Sequence, residues 1–525
     1  MQPAPPTPFT GPAPLRSSQD VGRLGANDAA WRAALLPLAM VAIWLAAVFY
    51  FWDARIDHDN SWYVMAIRAW LFEGAHLYTD IVEVNPPLAF YVMAPAVLAS
   101  AWLTIPAAIA VNLYVLLLAA FTSYLVLRFV RRAPDCSAGL ASAYALAATF
   151  LALFGPLPGQ GQREHFVVLF VLPYVTLAAF RPLGLELPNW QRSAIAAFAC
   201  LGLLMKPHFL LVPLAISSVE CLRARSLKPL FTRENWTIGC LALAYLGFVV
   251  TAYPEYLSNV VPLARATYWA YGWTQERQFS FYKALAVLLP IVVLFLVQKR
   301  SSQYQLAAEV LFAVILAFLA AFILQDKGFA YHQIPMKVFA ALFVIVLLFA
   351  VLEHRASARA MLLSSLAAAV LIGAYFLLPG RYQAAFNDEL RQKLGARLEG
   401  QKVMGFSIHI EPYYPYLTEV GARWVLRYPC LWPLPAAAAE AGSPDPEIRG
   451  RAEQVLDKLR RDVADDLRRH APAYVLAHGD FFPHGESYIS FLSEDPGFAE
   501  EWRSYRKLQT FGAYEVWRRH TDVRD

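Results

Sequence analysis

Twelve apolar runs follow one another along the first 380 residues, near 33–52, 85–103, 106–128, 138–156, 165–181, 193–205, 207–222, 236–253, 281–297, 306–324, 334–352 and 360–378. Lipid offers no partner for unpaired backbone groups, so a spanning element is a helix of roughly 20 mostly apolar residues. The pattern predicts a polytopic helical membrane domain over 33–379, in which 193–205 and 207–222 form two short helices. Residues 1–32 are Pro-rich and polar and predict a flexible tail. No cleavable leader pattern precedes the first run, which is expected to stay as an anchor. Beyond residue 380 the period changes. Strand-like pieces (Val403–Ile410, Ala473–Ala477, Ala513–Arg518) alternate with helical ones. The clearest helix is 446–470, where Ile448, Ala452, Val455, Leu456, Leu459, Val463 and Leu467 keep helical spacing. That alternation predicts a small α/β domain over 380–525, with Leu434–Pro446 as a loop.

Composition sharpens the boundary. Of the first 379 residues 43 are charged, and of the last 146 residues 42 are, where a soluble domain carries about 25%. A single soluble enzyme, a disordered chain and a small disulfide scaffold are all excluded. The formal charge of +5 is too modest to suggest nucleic acid, and the five scattered cysteines show neither CxxC nor metal spacing. Basic residues instead report topology. If 85–103 lies along or re-enters the surface, eleven spans put 16 Lys/Arg on the cytoplasmic side and 9 outside. The N-terminus is then cytoplasmic and the 380–525 domain extracytoplasmic. The first outer loop, 53–105, carries interfacial helices and the densest acids: Asp53, Asp57, Asp59, Glu73, Asp80 and Glu83.

Ionisable groups at a membrane face are costly unless paired or functional, and five clusters converge on this outer face. Asp57-His58-Asp59-Asn60 holds two carboxylates at i, i+2, suited to a general base or a shared cation, or simply to a solvated loop. In Glu83-Val84-Asn85-Pro86-Pro87-Leu88 the prolines hold Glu83 and Asn85 in place, which a rigid turn alone also explains. Gly159-Gln160-Gly161-Gln162-Arg163-Glu164-His165 either anchors a helix end or orients a phosphate or metal. Its glycines are not a dinucleotide fingerprint, so no nucleotide site is expected. Lys206-Pro207-His208 either snorkels or clamps an anion, and Gln325–His332 is a short loop dense in donors that equally serves as an interfacial anchor.

The first outer loop resembles polytopic glycosyltransferases of the GT-C fold. Asp59-Asn60-Ser61-Trp62-Tyr63-Val64-Met65-Ala66 is similar to that family's Asp-Glu-x-x-Tyr-x-x-x-Ala element. Gly74, Tyr78 and Asn85-Pro86-Pro87-Leu88 follow, where bacterial members related to aminoarabinose and protein mannosyl transferases have Lys-Pro-Pro-Leu. Lys206-Pro207 resembles the family's Lys-Gly-Pro between two short helices. Two departures stand out: Asn60 replaces an acid, leaving Asp57 as a substitute carboxylate, and Asn85 replaces a phosphate-facing lysine.

The resemblance implies an inverting transferase that takes a sugar from a polyprenyl-phosphate donor at the outer face of a bacterial inner membrane. The acceptor is an envelope glycan, lipid or protein. It implies Asp59 as general base, with Asp57 beside it, and Arg163, Lys206, Lys327, Asn85, His332 and Tyr331 around the donor phosphate. Glu83, Glu164 and His165 are then candidates for a divalent cation, Mg²⁺, Mn²⁺ or Zn²⁺. The competing reading is a transporter or flippase of a lipid-linked or anionic substrate. Such proteins keep ionisable groups near the midplane and have repeated halves, whereas this chain gathers them at one face and shows no repeat.

Overall fold

The computed structural model describes residues 18–272, 274–297, 304–352, 377–479 and 487–520. Eleven of the twelve apolar runs coincide with helices, and the run at 360–378 lies almost wholly outside the described residues. In chain order the helices are α1 (Ser18–Phe51), α2 (His58–Phe72), α3 (Leu88–Leu103), α4 (Ala107–Val130), α5 (Ala138–Phe154), α6 (Arg163–Phe180) and α7 (Asn189–Leu203). They continue with α8 (Leu211–Ala224), α9 (Arg233–Ala252), α10 (Val261–Thr267), α11 (Gln275–Val297), α12 (Gln305–Gln325) and α13 (Ile334–Leu352). Five stretches are long and apolar enough to cross a membrane: Ala107–Val130, Arg163–Leu183, Arg233–Ala252, Gln305–Gln325 and Ala330–Ala350. Leu35–Phe51, Leu88–Leu103 and Ala138–Phe154 are shorter apolar helices.

Their burial pattern departs from that of a soluble bundle at the outward faces. α6 is buried from Glu164 through Phe180 and forms the axis, packed by α4, α7, α12 and α13. A helix apolar all round belongs in an interior, and α6 occupies it. α9 buries only Glu234, Ile238 and Val249, and turns Leu243, Leu246 and Val250 outward. Phe49 of α1 is 85% exposed. Apolar faces of this extent are rare on soluble chains and suit a lipid surround. At one end of the bundle Arg181 and Arg192 converge on Glu234, which is 2% exposed, at 2.6 Å each.

At the opposite end sits the tail domain, a five-stranded sheet in the order β2-β1-β3-β5-β4. β1 (Lys402–Phe406) runs parallel to both β2 (Arg423–Trp424) and β3 (Tyr474–His478). β5 (Tyr514–Arg519) is antiparallel to β3 and to the edge strand β4 (Tyr505–Phe511). The helix Pro446–His470 is capped by the Asp445 carboxylate, which accepts from Glu447 N at 2.8 Å, and it buries the expected stripe through Ala452, Leu456, Leu459, Val463 and Leu467. One expectation is corrected: within 434–446, Leu434–Ala441 is helical. Pro435 sits in its first turn, where no intrahelical N–H is needed, and an alanine run propagates it.

Three of the six acids of the first outer segment dock this domain. Asp53 meets Arg381 at 3.1 Å, Glu73 meets Arg423 at 2.9 Å and Asp80 meets Arg469 at 2.7 Å. Val82 N donates to Arg427 O at 2.7 Å, and Thr418 Oγ1 to Ser61 O at 3.2 Å. These contacts set a lid of sheet and loops over the bundle mouth.

Candidate active site

The mouth is organised by the start of α2. Asp57 is its N-cap: Oδ1 accepts from Asn60 N at 3.0 Å and from Gln162 Nε2 at 3.0 Å, and Oδ2 accepts from Asn60 Nδ2 at 2.8 Å. Asn60 Nδ2 also reaches Gln160 O at 2.9 Å. The amide at position 60 therefore joins α2 to the segment before α6, which a carboxylate there could not do by donating. Gly161, at φ +79°, lets that segment pass close, since a Cβ would sit 3.0 Å from Asn60 Nδ2. Asp57 is 3% exposed, and burial pushes its carboxyl up to about 7, with Asp59 adding to the rise and His58, Asn60 and Arg163 opposing it. Its three hydrogen bonds are those of an architectural residue.

Asp59, two residues on, faces open space. Its Oδ2 accepts from Arg163 Nη2 at 3.0 Å and Gln162 Nε2 at 3.2 Å, leaving Oδ1 toward His58 Nε2, 4.0 Å away. Burial alone would raise this carboxyl. Arg163, His58, Gln162 and Lys206 together hold it below the ordinary aspartate value. Asp59 lines a cavity of about 330 Å³ between the mouth and the tail domain. Trp62, Glu83, Asn85, Arg163 and Tyr331 share that wall, so five of the residues singled out in the sequence, Asp59 included, do come together.

The others are placed differently. Glu83 is 5% exposed and accepts from Trp62 Nε1 at 2.9 Å, from Asn85 N at 3.1 Å and from Asn85 Nδ2. Glu164 lies behind the cavity in a buried cluster, where Lys206 Nζ donates to Glu164 Oε1 at 2.6 Å and to Gln325 Oε1 at 2.7 Å, with His332 Nε2 at 3.4 Å. Burial pushes Lys206 below the ordinary lysine value, Glu164 pulling the other way. His165 is spent on the backbone: Nδ1 accepts from Gly161 N at 3.0 Å and Nε2 donates to Ala152 O at 2.8 Å. Lys327 Nζ donates to Tyr268 O at 2.9 Å.

Glu83, Glu164 and His165 thus belong to three separate networks. Among the described residues no group of three or more His, Cys, Asp or Glu side chains could hold a metal ion. The grouping expected from the sequence does not fit a cation, because its three members are held apart in separate networks.

Several residues of the cavity carried no sequence signal. Arg277 stands over the Phe329 ring at 4.2 Å and donates to Tyr271 O at 2.6 Å and Gly272 O at 2.7 Å. Among the described residues its hydrogen-bond partners are carbonyl oxygens, and no carboxylate stands within ion-pair distance of it. The tail domain adds His409, Glu411 and Trp432. A second, mostly apolar cavity of about 430 Å³ lies on the other side of His58 and Tyr331, walled by Pro156, Leu157, Ile334 and Lys337. Arg163 Nε, Glu164 Oε2 and His332 Nδ1 are buried without a protein partner, an exception in folded chains that falls at the same mouth.

No family model matches the chain, and no curated protein matches it. Among solved structures, the arabinofuranosyltransferase AftD from Mycobacteria aligns with a TM-score of 0.45 at 14% identity, over 93% of this chain and 40% of that one. A mutant of the same protein aligns with a TM-score of 0.44 at 13% identity, over 93% and 42%. The chain therefore spans less than half the length of these proteins. Likeness at this level decides nothing about chemistry, which rests on the site itself.

Proposed function

We propose that this chain is an inverting glycosyltransferase of the GT-C type, moving a sugar from a polyprenyl-phosphate donor to an envelope acceptor. Its address is the bacterial inner membrane, with the tail domain and active face periplasmic. The observation that carries the reading is that one 330 Å³ cavity is lined both by Asp59 and by Arg277, whose hydrogen bonds among the described residues go to carbonyl oxygens. Asp59 Oδ1 is free of strong partners and takes the acceptor's proton. Arg277, with Arg163 behind Asp59, stabilises the charge that develops on the departing phosphate. The apolar cavity beyond His58 and Tyr331 accommodates the first isoprene units, with the lipid phosphate at the boundary between the two. Charge stabilisation comes from guanidinium groups, and no step is assigned to a metal.

The test is release of polyprenyl phosphate from radiolabelled polyprenyl-phosphate sugars by purified protein, wild type against Asp59→Asn, with a crude envelope extract as acceptor. Release by wild type alone is expected. No release from any donor would overturn the reading and favour a transporter, to be followed by flux assays.

A further inference from the structure

His58 stands where the two cavities meet and lines both. Its Nδ1 lies 3.1 Å from Tyr382 Oη, and its Nε2 lies 4.0 Å from Asp59 Oδ1 and 3.7 Å from Glu411 Oε1. One ring nitrogen is thus held by the tail domain's tyrosine while the other faces two carboxylates, one from the bundle and one from the tail domain. The loop bearing Glu411 is itself fixed. Asn387 Nδ2 donates to Glu411 O at 2.7 Å, and Tyr271 Oη donates to Ile408 O at 2.6 Å. Glu411 is 35% exposed at its side chain, whereas Asp59 and His58 are 18% and 21% exposed, so Glu411 is the most open of the three groups along this cavity wall.

We propose that His58, held between Asp59 and the tail domain's Glu411, is where the acceptor's proton comes to rest, and that Glu411 leads it out. This rests on the transferase reading above. The acceptor O–H bond breaks and its proton goes to Asp59 Oδ1. The freed oxygen pair forms the bond to the anomeric carbon, and the carbon–phosphate-oxygen bond breaks with its pair leaving on the lipid phosphate. The Asp59 proton then passes to the Nε2 lone pair of His58 through one water, since the 4.0 Å separation exceeds a hydrogen bond. Nδ1–H donating to Tyr382 keeps Nε2 free to receive it. The imidazolium is balanced by both carboxylates and loses its proton past Glu411.

Charge supports the direction of transfer. A carboxylate tied to Arg163 is a weak base, and the best proton acceptor is one that titrates near the working pH. For His58, burial lowers its affinity for a proton, but Asp59, Glu411 and Asp57 outweigh burial and the opposing Arg163, leaving it above the ordinary histidine value. Tyr382 is a further titratable group at the ring, at hydrogen-bond distance from Nδ1.

The experiment has two arms. Histidine Cε1-labelled protein in nanodiscs, with the His58 signal assigned from His58→Gln, is titrated by NMR in wild type, Asp59→Asn and Glu411→Gln. The His58 midpoint is expected to drop in both variants, and an unmoved midpoint would overturn the proposal whatever the protein catalyses. In the release assay, the acid limb of kcat should lie above pH 6.5 in wild type, move to lower pH in Glu411→Gln, and fall into the carboxylate range in His58→Gln with a loss of about tenfold or more. Acid limbs that coincide in all three proteins would also overturn it, as a purely docking role for His58 and Glu411 predicts. Coupled titration without release by wild type would refute sugar transfer alone.

Discussion

Lys206 pairs with Glu164 behind the cavity, and its removal separates two accounts of its role. Its ammonium lies 2.6 Å from a Glu164 carboxylate that is 0% exposed, while the lysine side chain is 11% exposed. Among the described residues, Lys206→Met leaves Glu164 with His332 Nε2, at 3.6 Å, as the remaining basic group near the same oxygen. Breaking one side of a buried ion pair costs about 3–5 kcal/mol, mostly because the other charge stays buried, while replacing both sides is often neutral. Lys206→Met should therefore lose about 3–5 kcal/mol, and Lys206→Met/Glu164→Gln should recover most of it. Unfolding free energies from SDS titration in mixed micelles give the comparison directly. The activity of the double variant then decides function. With Lys206 as a brace, polyprenyl-phosphate release per folded molecule is retained. With Lys206 on the donor phosphate, release is lost although stability returns. A neutral single variant, or a double variant no better than the single, would refute the buried-pair reasoning.

Other perturbations read other parts of the site. Asp59→Asn keeps an acceptor for Arg163 but removes the base, so release should fall by about 10²-fold or more, with the thermal midpoint in detergent changed little; parallel losses would mean misfolding instead. Arg277→Gln should weaken inhibition by polyprenyl phosphate and reduce release about tenfold or more, with Arg277→Lys recovering part of it because the charge remains. Unchanged inhibition would remove Arg277 from the phosphate. Glu234→Gln, at the far end of the bundle, leaves Arg181 and Arg192 without their shared charge. It should cost about 1–3 kcal/mol, measured by the same SDS titration, without altering release per folded molecule.

What was legible in the sequence follows from what each signal depends on. Apolar period and length are local, so eleven of the twelve runs and the 446–470 helix were readable from the chain alone. Leu434–Ala441 was missed because its proline reads as a loop signal although it stands at a helix start, where it is tolerated. β4 was missed because it is an edge strand bearing Arg506 and Lys507, the charged dressing that keeps edges from pairing further. β2 is two residues long and has no pattern to find.

The site divides along the same line. That acids and bases gather at one mouth was visible, because topology alone collects them. Which of them are free was not, because freedom is a statement about partners distant in sequence. Glu73 and Asp80 look no different from Asp59 in the chain, yet they meet arginines 350 and 389 residues away, while the Asp59 arginine lies at its cavity wall. Lys206 and Arg277 invert in the same way. The lysine stands in a motif-like Lys-Pro turn, and its charge is consumed by Glu164. The arginine opens an unremarkable helix, and its contacts are carbonyls and the ring of Phe329, 52 positions on. A cation whose partner is a carboxylate has little field left for a phosphate, whereas one held by neutral dipoles keeps nearly all of it. Arg277 is therefore a stronger candidate than Lys206 for the phosphate, on geometry that the sequence does not contain.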